Sequence, residues 1–195
     1  GVGNIGSIVA SLAQSLGMEI IAYDPFLSDE RAKNLKIYKT QDLNDLLSQS
    51  DVVTLHLPKN ENTHNIISSE NIFKMKKGSI LVNCARGGLV EEIAVAEAIK
   101  TKHLSAAAFD VFLEEPATSN PLFGLKNVIC TPHLGASTAE AQEKVSFQIA
   151  DQIINYLKNG AITNALNAPS IDPKEALLLN PWIRLAKILG SFIGQ

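Results

Sequence analysis

The chain opens with GVGNIGSIVASLAQSLGMEIIAYDP, residues 1–25, and this stretch decides the fold. Gly1, Gly3 and Gly6 form the pattern G-x-G-x-x-G at the start of a segment whose apolar residues recur at helical spacing. In this pattern the first glycine allows a tight turn, the second lets a pyrophosphate approach the backbone, and the third lets the helix pack against a sheet. The N–H groups at the start of such a helix bind phosphate. The stretch therefore predicts a dinucleotide-binding unit.

An acidic residue follows the glycines close to the offset that this fingerprint requires. Seventeen residues separate Gly6 from Asp24, which ends the apolar run at residues 18–23 and precedes Pro25. The expected offset is about 20 residues. A carboxylate there accepts hydrogen bonds from ribose hydroxyls and repels a 2′-phosphate, so NAD is favoured over NADP. A turn that only ends the strand is the alternative, and the offset from the glycines favours the cofactor interpretation.

The rest of the chain alternates short apolar runs with helical patterns. The apolar runs are continuous, which is typical of strands in a parallel sheet that is covered on both faces. This alternation predicts an α/β fold with a Rossmann-type doubly wound parallel sheet. Strands are predicted at residues 51–58, 79–85, 105–112 and 127–132, and helices at residues 41–50, 70–75 and 91–100.

A longer helix follows the last strand. Ser137 and Glu140 fit a capping box, in which both side chains bind backbone N–H groups at the helix start. The helix is expected to run to about Lys158 and to end at Gly160, since glycine is the usual residue past a helix end.

The chain is expected to contain an NAD-binding domain at residues 1–158 and, at residues 159–195, a crossover and the start of a second domain. The second part contains a small, polar, proline-bearing stretch and then two apolar helices separated near Asn180 and Pro181. The first residue is a glycine inside the cofactor pattern, so we expect a fragment that lacks the first, central strand of the sheet.

Composition excludes several classes of protein. Among 195 residues, 46% are hydrophobic and 19% are charged, and the net charge of −3 argues against a strongly basic nucleic-acid binder. No apolar run reaches the roughly 18 residues of a membrane span. Cys84 and Cys130 do not have the spacing of metal ligands, and no metal site is expected. Two cysteines without a disulfide pattern are typical of a cytoplasmic protein.

Polar residues follow several strands, and the carboxyl ends of parallel strands are where ligands bind in α/β sheets. Arg86 follows the strand predicted at residues 79–85 and either binds a substrate carboxylate or caps strand carbonyls. His133 follows the last strand, and Asp110, Glu114 and Glu115 follow the strand before it. A histidine paired with a carboxylate can exchange a proton near neutral pH. The sequence does not decide which carboxylate meets the histidine.

The motifs GVGNIG, YDP, HLP, VNCARGG, FDVFLEEP and TPHLGAST together resemble the D-2-hydroxyacid dehydrogenase family, in the order found there. The resemblance covers residues 1–158, and the tail that follows is similar to the segment that joins this domain to C-terminal regions of longer members. It implies that Arg86 orients the substrate, that His133 is the general acid–base, and that Glu115 pairs with His133.

The resemblance also implies a set of contacts with NAD along the glycine loop and the strand ends. These cofactor-binding residues are Gly1, Gly3, Asn4, Ile5, Gly6, Asp24, Pro58, Thr63, Cys84, Ala85, Arg86, Asp110, His133, Gly135 and Ala136.

The implied activity is NAD-dependent oxidation of a D-2-hydroxy acid, with 3-phosphoglycerate as the expected substrate and serine biosynthesis as the pathway. A homodimer or homotetramer with a small-molecule substrate is expected, with no nucleic-acid partner and no membrane. A glyoxylate/hydroxypyruvate reductase or a D-lactate dehydrogenase would share the motifs, and an NAD-sensing co-repressor is the alternative of another class. Because the family's substrate domain is absent from these residues, we expect them to be inactive by themselves.

Overall fold

The computed structural model describes residues 1–165, 167 and 173–194. The chain divides into two compact units, Gly1–Gly135 and Ala136–Gln195. The first unit contains all the β-strands among the described residues, and the second is built from helices.

The strands of the first unit are all parallel and form two sheets. One sheet pairs β1 with β2, and the other has the order β3-β4-β5-β6. Each strand of the larger sheet pairs with the next one along the chain, as expected when a crossover returns the chain to the same edge. The strands are β1 Ile21–Tyr23, β2 Tyr38–Thr40, β3 Val52–Leu55, β4 Ile80–Asn83, β5 Ala106–Phe109 and β6 Val128–Cys130.

Helices connect the strands, and two of them begin at a side chain that caps the first turn. The Ser28 hydroxyl accepts a hydrogen bond from the Arg31 N–H, and the Asp42 carboxylate accepts one from the Asn44 N–H. The helices of this unit are α1 Asn4–Ser15, α2 Asp29–Asn34, α3 Leu43–Gln49 and α4 Glu92–Lys100.

The helix predicted at residues 70–75 is wrong as an α-helix, because the chain forms only a 3₁₀ turn at Ile72–Lys74. The Asn71 side chain accepts a hydrogen bond from the Ser68 N–H and donates one to the Ile66 carbonyl, which fixes the entry to the turn. Gly78, with φ of 85°, reverses the chain soon afterwards. The segment between Asn71 and Gly78 is too short to nucleate an α-helix.

The core of this unit lies in two clusters, one on each sheet. Strand residues form the centre of each cluster, and residues of the helices and loops that cover the sheets supply most of the rest. The cluster on the larger sheet includes Leu47, Ile67, Ile72, Leu81, Leu89, Val95, Leu104, Phe109 and Leu122. The smaller cluster contains Val2, Ala10, Ala22, Leu27, Ala32 and Ile37.

The register of the larger sheet brings three loops to one edge. Asn83 at the end of β4 pairs with Phe109 at the end of β5, and Phe109 pairs with Cys130 at the end of β6. The Gly1 amino group donates to the Tyr23 carbonyl at the end of β1. The three loops that follow β4, β5 and β6 therefore begin at one edge of the larger sheet, and the glycine loop is bound to the carboxyl end of β1.

The second unit contains α5 Ala139–Asn159 and α6 Pro173–Ile193. The predicted cap at Ser137 is wrong, because the Thr138 hydroxyl accepts the hydrogen bond from the Ala141 N–H. Thr138 has the extended backbone of an N-cap residue, and the helix starts one residue later than the capping-box pattern suggested. The end of the helix at Gly160 is confirmed, with φ of 68°.

The prediction of two helices separated near Asn180 and Pro181 is wrong, since α6 continues through Pro181 over 21 residues. A proline removes one backbone hydrogen bond, which a long helix tolerates. The Asn180 side chain donates to the Asn159 carbonyl at 2.7 Å within the same unit. The predicted crossover at residues 161–173 lies partly outside the described residues, and the domain boundary at residue 158 stays a prediction.

Candidate active site

The glycine loop leaves open space on one side and is tightly packed on the other. A Cβ on Gly6 would collide with the Gly1 carbonyl oxygen, and a Cβ on Gly1 would lie 2.6 Å from the His56 carbonyl oxygen. A Cβ on Gly3 would meet nothing within 4 Å. Gly3 is also the N-cap of α1 and has no side chain to bind the N–H groups of the first turn. These N–H groups and the open side at Gly3 fit the pyrophosphate of a dinucleotide.

Asp24 follows β1 and braces this loop. Its carboxylate accepts hydrogen bonds from the Val2 N–H at 2.6 Å and from the Phe26 N–H at 2.9 Å. Burial would raise the pKa of Asp24, but these two hydrogen bonds together with nearby positive charges outweigh it, and the pKa is lowered. The ionised carboxylate is only half-buried, so it keeps lone pairs for ribose hydroxyls.

Glu115 and His133 meet at the edge of the larger sheet. The distance from His133 Nδ1 to Glu115 Oε2 is 2.7 Å, and Glu115 Oε1 accepts a hydrogen bond from the Phe112 N–H at 2.9 Å. The hydrogen bond with His133 is the main cause of the lowered pKa of Glu115. The ionised carboxylate can only accept, so Nδ1 carries the proton in this pair.

The structure thus decides between the three carboxylates that the sequence left open. Glu115 is the carboxylate that contacts the His133 ring, whereas Asp110 binds the backbone N–H groups of Leu134 and Gly135. The other strand-end histidine, His56, lies within 3.1 Å of the Thr54 hydroxyl, and burial lowers its pKa.

Arg86 lies on a loop whose backbone is hydrogen-bonded to the Asn83 side chain. The buried Asn83 amide donates to the Arg86 carbonyl at 3.0 Å, and its oxygen accepts from the Ala85 N–H at 3.1 Å. The Arg86 side chain is exposed and donates to the Ala85 carbonyl. A Cβ on Gly87 would collide with the Phe112 carbonyl oxygen. A glycine at this position therefore lets the arginine loop pack directly against the loop that carries Glu115.

Asp110 is almost fully buried, with 7% of its surface exposed, and binds the loop that carries His133. Oδ1 accepts from the Thr131 hydroxyl at 2.5 Å and the Leu134 N–H at 2.8 Å, and Oδ2 accepts from the Gly135 N–H at 3.1 Å. Burial would raise the pKa of Asp110, but these hydrogen bonds lower it. The expected contact of Asp110 with nicotinamide stays a prediction.

An apolar cavity of about 490 Å³ lies beside the Glu115–His133 pair. Phe112 and Phe123, which pack edge to face with their ring centroids 5.3 Å apart, both line it. Other apolar residues of its wall are Pro116, Ala117, Cys130 and Pro132. The cavity therefore gives the pair an apolar wall on one side, while both side chains stay partly exposed to solvent.

The remaining predicted cofactor residues are spread over several elements of the chain. Thr63 donates to the Pro58 carbonyl at 2.7 Å and so closes the loop after β3. Cys84 is exposed as a residue, but partial burial of its thiol and the nearby Asp110 carboxylate raise the pKa of that thiol. Asn4 and Ile5 lie exposed in the first turn of α1. The contacts of these residues with NAD stay predictions, as do those of Ala85, Gly135 and Ala136.

Sequence reasoning missed residues that hold the site together. One is Thr131, whose hydroxyl donates to Asp110. The other is Glu92, whose carboxylate accepts from the Leu113 N–H and the Asn120 amide. A polar residue next to a strand end was the available signal for Thr131. For Glu92 the sequence shows only an ordinary acidic residue at a helix start.

Two classes of site are absent from the described residues. No group of three or more His, Cys, Asp or Glu side chains is arranged there to hold a metal ion. In the same part of the chain, no helix is both long and apolar enough to span a membrane.

Comparisons with known proteins agree with this geometry. The family model for the D-isomer specific 2-hydroxyacid dehydrogenase, NAD binding domain, matches residues 1–135. The D-3-phosphoglycerate dehydrogenases of Synechocystis sp. and of Methanocaldococcus jannaschii are each 44% identical over 195 residues, which is 100% of this chain and 35% and 37% of those proteins. The holo form of Rhodotorula graminis D-mandelate dehydrogenase has a TM-score of 0.76 at 31% identity, covering 88% of this chain and 51% of that one.

The chain spans about a third of the length of the curated relatives that it matches. The matches confirm the parallel α/β fold and, through the family's domain, NAD as the cofactor. By the family model and these relatives, the chain belongs to the D-isomer specific 2-hydroxyacid dehydrogenases, and residues 1–135 are its NAD-binding domain.

Proposed function

We propose that this chain is the cofactor-binding part of an NAD-dependent enzyme that oxidises 3-phosphoglycerate to 3-phosphohydroxypyruvate, a step of L-serine biosynthesis. The observation that carries the activity is the Glu115–His133 pair, with 2.7 Å between Oε2 and Nδ1, at the sheet edge where the Arg86 loop also begins. The substrate is supported by the relatives named D-3-phosphoglycerate dehydrogenase, which are 44% identical over the whole chain.

The glycine loop and Asp24 would hold the dinucleotide. The N–H groups at the start of α1 bind its phosphates on the open side of Gly3, and the Asp24 carboxylate accepts from ribose hydroxyls. When bound, NAD accepts the hydride from C2 of the hydroxy acid. The tight packing at Gly6 fixes the helix start against the loop, so the phosphate-binding groups need no rearrangement.

His133 is proposed to exchange the substrate proton through Nε2, because Nδ1 donates its proton to Glu115. Glu115 holds the imidazole in this tautomer and stabilises the imidazolium that forms when Nε2 takes the hydroxyl proton. The Arg86 guanidinium, which carries a permanent charge, binds the substrate carboxylate and draws electron density toward the developing carbonyl. Binding, orientation and proton transfer are thus divided between three loops of one sheet edge.

The test is a substrate panel with the full-length protein. NADH formation is followed with 3-phosphoglycerate, D-lactate, D-glycerate and 2-hydroxyglutarate, and NADP is run in parallel. We expect selective turnover of 3-phosphoglycerate with NAD, and a loss of kcat of about 10- to 100-fold in Glu115→Gln. Glu114→Gln is the matched control, because it makes the same change at the neighbouring exposed carboxylate, whereas the ion pair with the His133 ring is made by Glu115.

Other outcomes would assign a different function. Preference for D-lactate or D-glycerate would overturn the substrate and indicate another dehydrogenase or reductase of the family. Tight NADH binding with no turnover of any hydroxy acid would overturn the enzymatic proposal and favour an NAD-sensing binding protein. Residues 1–195 by themselves are proposed to give no turnover, and the same assay checks this.

We also propose a homodimer or homotetramer in the cytoplasm that takes a small-molecule substrate. Apolar side chains that lie exposed along α5 support burial in an assembly, and they include Val145, Phe147, Ile149, Ile153 and Leu157. Sedimentation of the full-length protein at several concentrations measures the oligomeric state, and a monomer at all of them would contradict this proposal.

A further inference from the structure

The loop that carries His133 adopts a backbone conformation that its sequence does not favour. His133 has φ of 57°, in the left-handed region that L residues with a Cβ rarely adopt. It lies directly after Pro132, which has no N–H to bind the preceding turn. Something outside residues 132 and 133 must therefore hold this conformation.

The groups that hold it converge on one carboxylate. The Thr131 hydroxyl precedes His133 by two residues, and the Leu134 and Gly135 N–H groups follow it. All three donate to Asp110, two to Oδ1 and one to Oδ2. A chain whose two sides bind the same carboxylate must reverse direction between them, and His133 is where it reverses.

We propose that Asp110 and Thr131 are positioning residues that fold the loop around His133 and hold its imidazole against Glu115. Neither residue needs to touch the substrate for this role. The Thr131 hydroxyl fixes the start of the loop to Oδ1, and the two backbone N–H groups fix its end. Glu115 is fixed separately, by the Phe112 N–H on its other oxygen.

The sheet makes this arrangement rigid. Asp110 and Thr131 are the first residues past β5 and β6, which pair along Phe109 and Cys130. The Thr131 N–H donates to the Phe109 carbonyl at 2.9 Å, which extends the ladder by one bond. The Thr131 hydroxyl therefore starts from a fixed backbone and reaches the neighbouring strand's first loop residue without a flexible segment between them.

Thr131 offers the cleaner test, because Thr131→Val removes the hydroxyl at nearly unchanged volume and Thr131→Ser keeps it. In the full-length protein we expect Thr131→Val to lower kcat about 10- to 100-fold, as a displacement of a reacting group by about 1 Å does. KM for the hydroxy acid is expected to change less than about threefold, since the Arg86 loop is untouched. Thr131→Ser is expected to stay within about threefold of the wild type in both constants.

A second measurement reads the His133 ring without turnover. In the protein labelled with ¹⁵N-histidine and free of cofactor, the Nδ1–H proton bound to Glu115 gives a downfield signal, assigned by its loss in His133→Gln. We expect the signal in the wild type and in Thr131→Ser, and its loss in Thr131→Val. A merely structural role would lower the thermal midpoint of Thr131→Val but leave this signal and the kcat of each folded molecule unchanged.

Wild-type kcat and wild-type signal in Thr131→Val would overturn the inference. If Thr131→Val does not fold, Thr131→Ala carries the same comparison with less steric demand. The kinetic part rests on the proposed function, whereas the spectroscopic part does not. A wild type that turns over no hydroxy acid would therefore overturn the proposed function, and the Nδ1–H signal would still decide the inference.

Discussion

Asp24 and Asp110 both stabilise a loop by accepting hydrogen bonds from its backbone, but they differ in how exposed they remain. Asp24 follows β1 and Asp110 follows β5, and each carboxylate binds the backbone of a loop distant in sequence. Asp24 is half-buried and accepts from one distant N–H, that of Val2, and from the nearby Phe26 N–H. Asp110 is almost fully buried and accepts from three distant donors, one of them a hydroxyl. The Asp24 carboxylate is therefore more accessible to a ligand, whereas the Asp110 carboxylate mainly binds its own protein loop.

The difference separates binding from catalysis. At the glycine loop the aspartate braces the Val2 backbone and still presents lone pairs to a ribose. At the catalytic edge a buried aspartate folds one loop, so that the adjacent His133 can pair with a second carboxylate, Glu115. An acid at a strand end is therefore not by itself a ligand-binding residue, and the number of protein donors it already has distinguishes the two cases.

The largest expected effect is at His133, within the loop that Asp110 folds. His133→Asn removes the proton-exchanging nitrogen and is expected to lower kcat by about 10²- to 10⁴-fold, the usual contribution of general acid–base catalysis. NADH affinity, measured by fluorescence titration, is expected to change little. The matched control is His64→Asn, the same change in an exposed loop. Near-normal turnover in His133→Asn would contradict the assigned role.

The next effect separates packing from binding within the glycine loop. Gly6→Ala would push a Cβ into the Gly1 carbonyl oxygen, and we expect the free energy of unfolding to fall by roughly 1–3 kcal/mol. Gly3→Ala, whose Cβ meets nothing within 4 Å, is expected to keep its stability but to bind NADH more weakly. Urea unfolding and NADH titration measure the two quantities. Equal losses of stability in both variants would contradict this division.

The sequence allowed the sheet edge to be predicted, because strand ends can be located from continuous apolar runs. Arg86, Asp110 and His133 were all placed at that edge from their positions after strands. The choice of Glu115 over Glu114 depended on the family resemblance, because two adjacent carboxylates are equivalent until the path of the loop is known.

Features that depend on the path of the backbone could not be predicted. The need for glycine at position 87 arises from the Phe112 carbonyl, 25 residues away along the chain. The role of Thr131 arises from the pairing of β5 with β6. Pro181 was taken as a helix end because local rules favour a break there, whereas the rest of α6 has enough residues to continue through it.

A smaller effect tests whether Asp24 remains available to the cofactor. Asp24→Asn removes the charge but keeps an acceptor for the Val2 or Phe26 N–H, so the loop is expected to stay folded. We expect NAD affinity to fall about tenfold and the preference for NAD over NADP to shrink, as loss of a charged hydrogen-bond acceptor predicts. Asp29→Asn, which loses an exposed pair with Lys39, is the control. An unchanged NAD preference in Asp24→Asn would remove this residue from the cofactor site.

The smallest expected effect is on stability in acid. The folded protein holds the pKa of Asp110 and the pKa of Asp24 below their ordinary values, so each carboxylate stabilises the fold above about pH 4 and loses this contribution as the pH falls further. The sign follows because the unfolded chain takes up these protons first. Urea unfolding at pH 6 and pH 3 measures how far the free energy of unfolding falls in acid. We expect this fall to be smaller in Asp110→Asn than in the wild type. Asp24→Asn is expected to lie in between, because Asp24 has fewer donors. An equal fall of the free energy of unfolding in both variants would show that the fold lowers the two pKa values to the same extent. The two aspartates would then differ only in how exposed their carboxylates are.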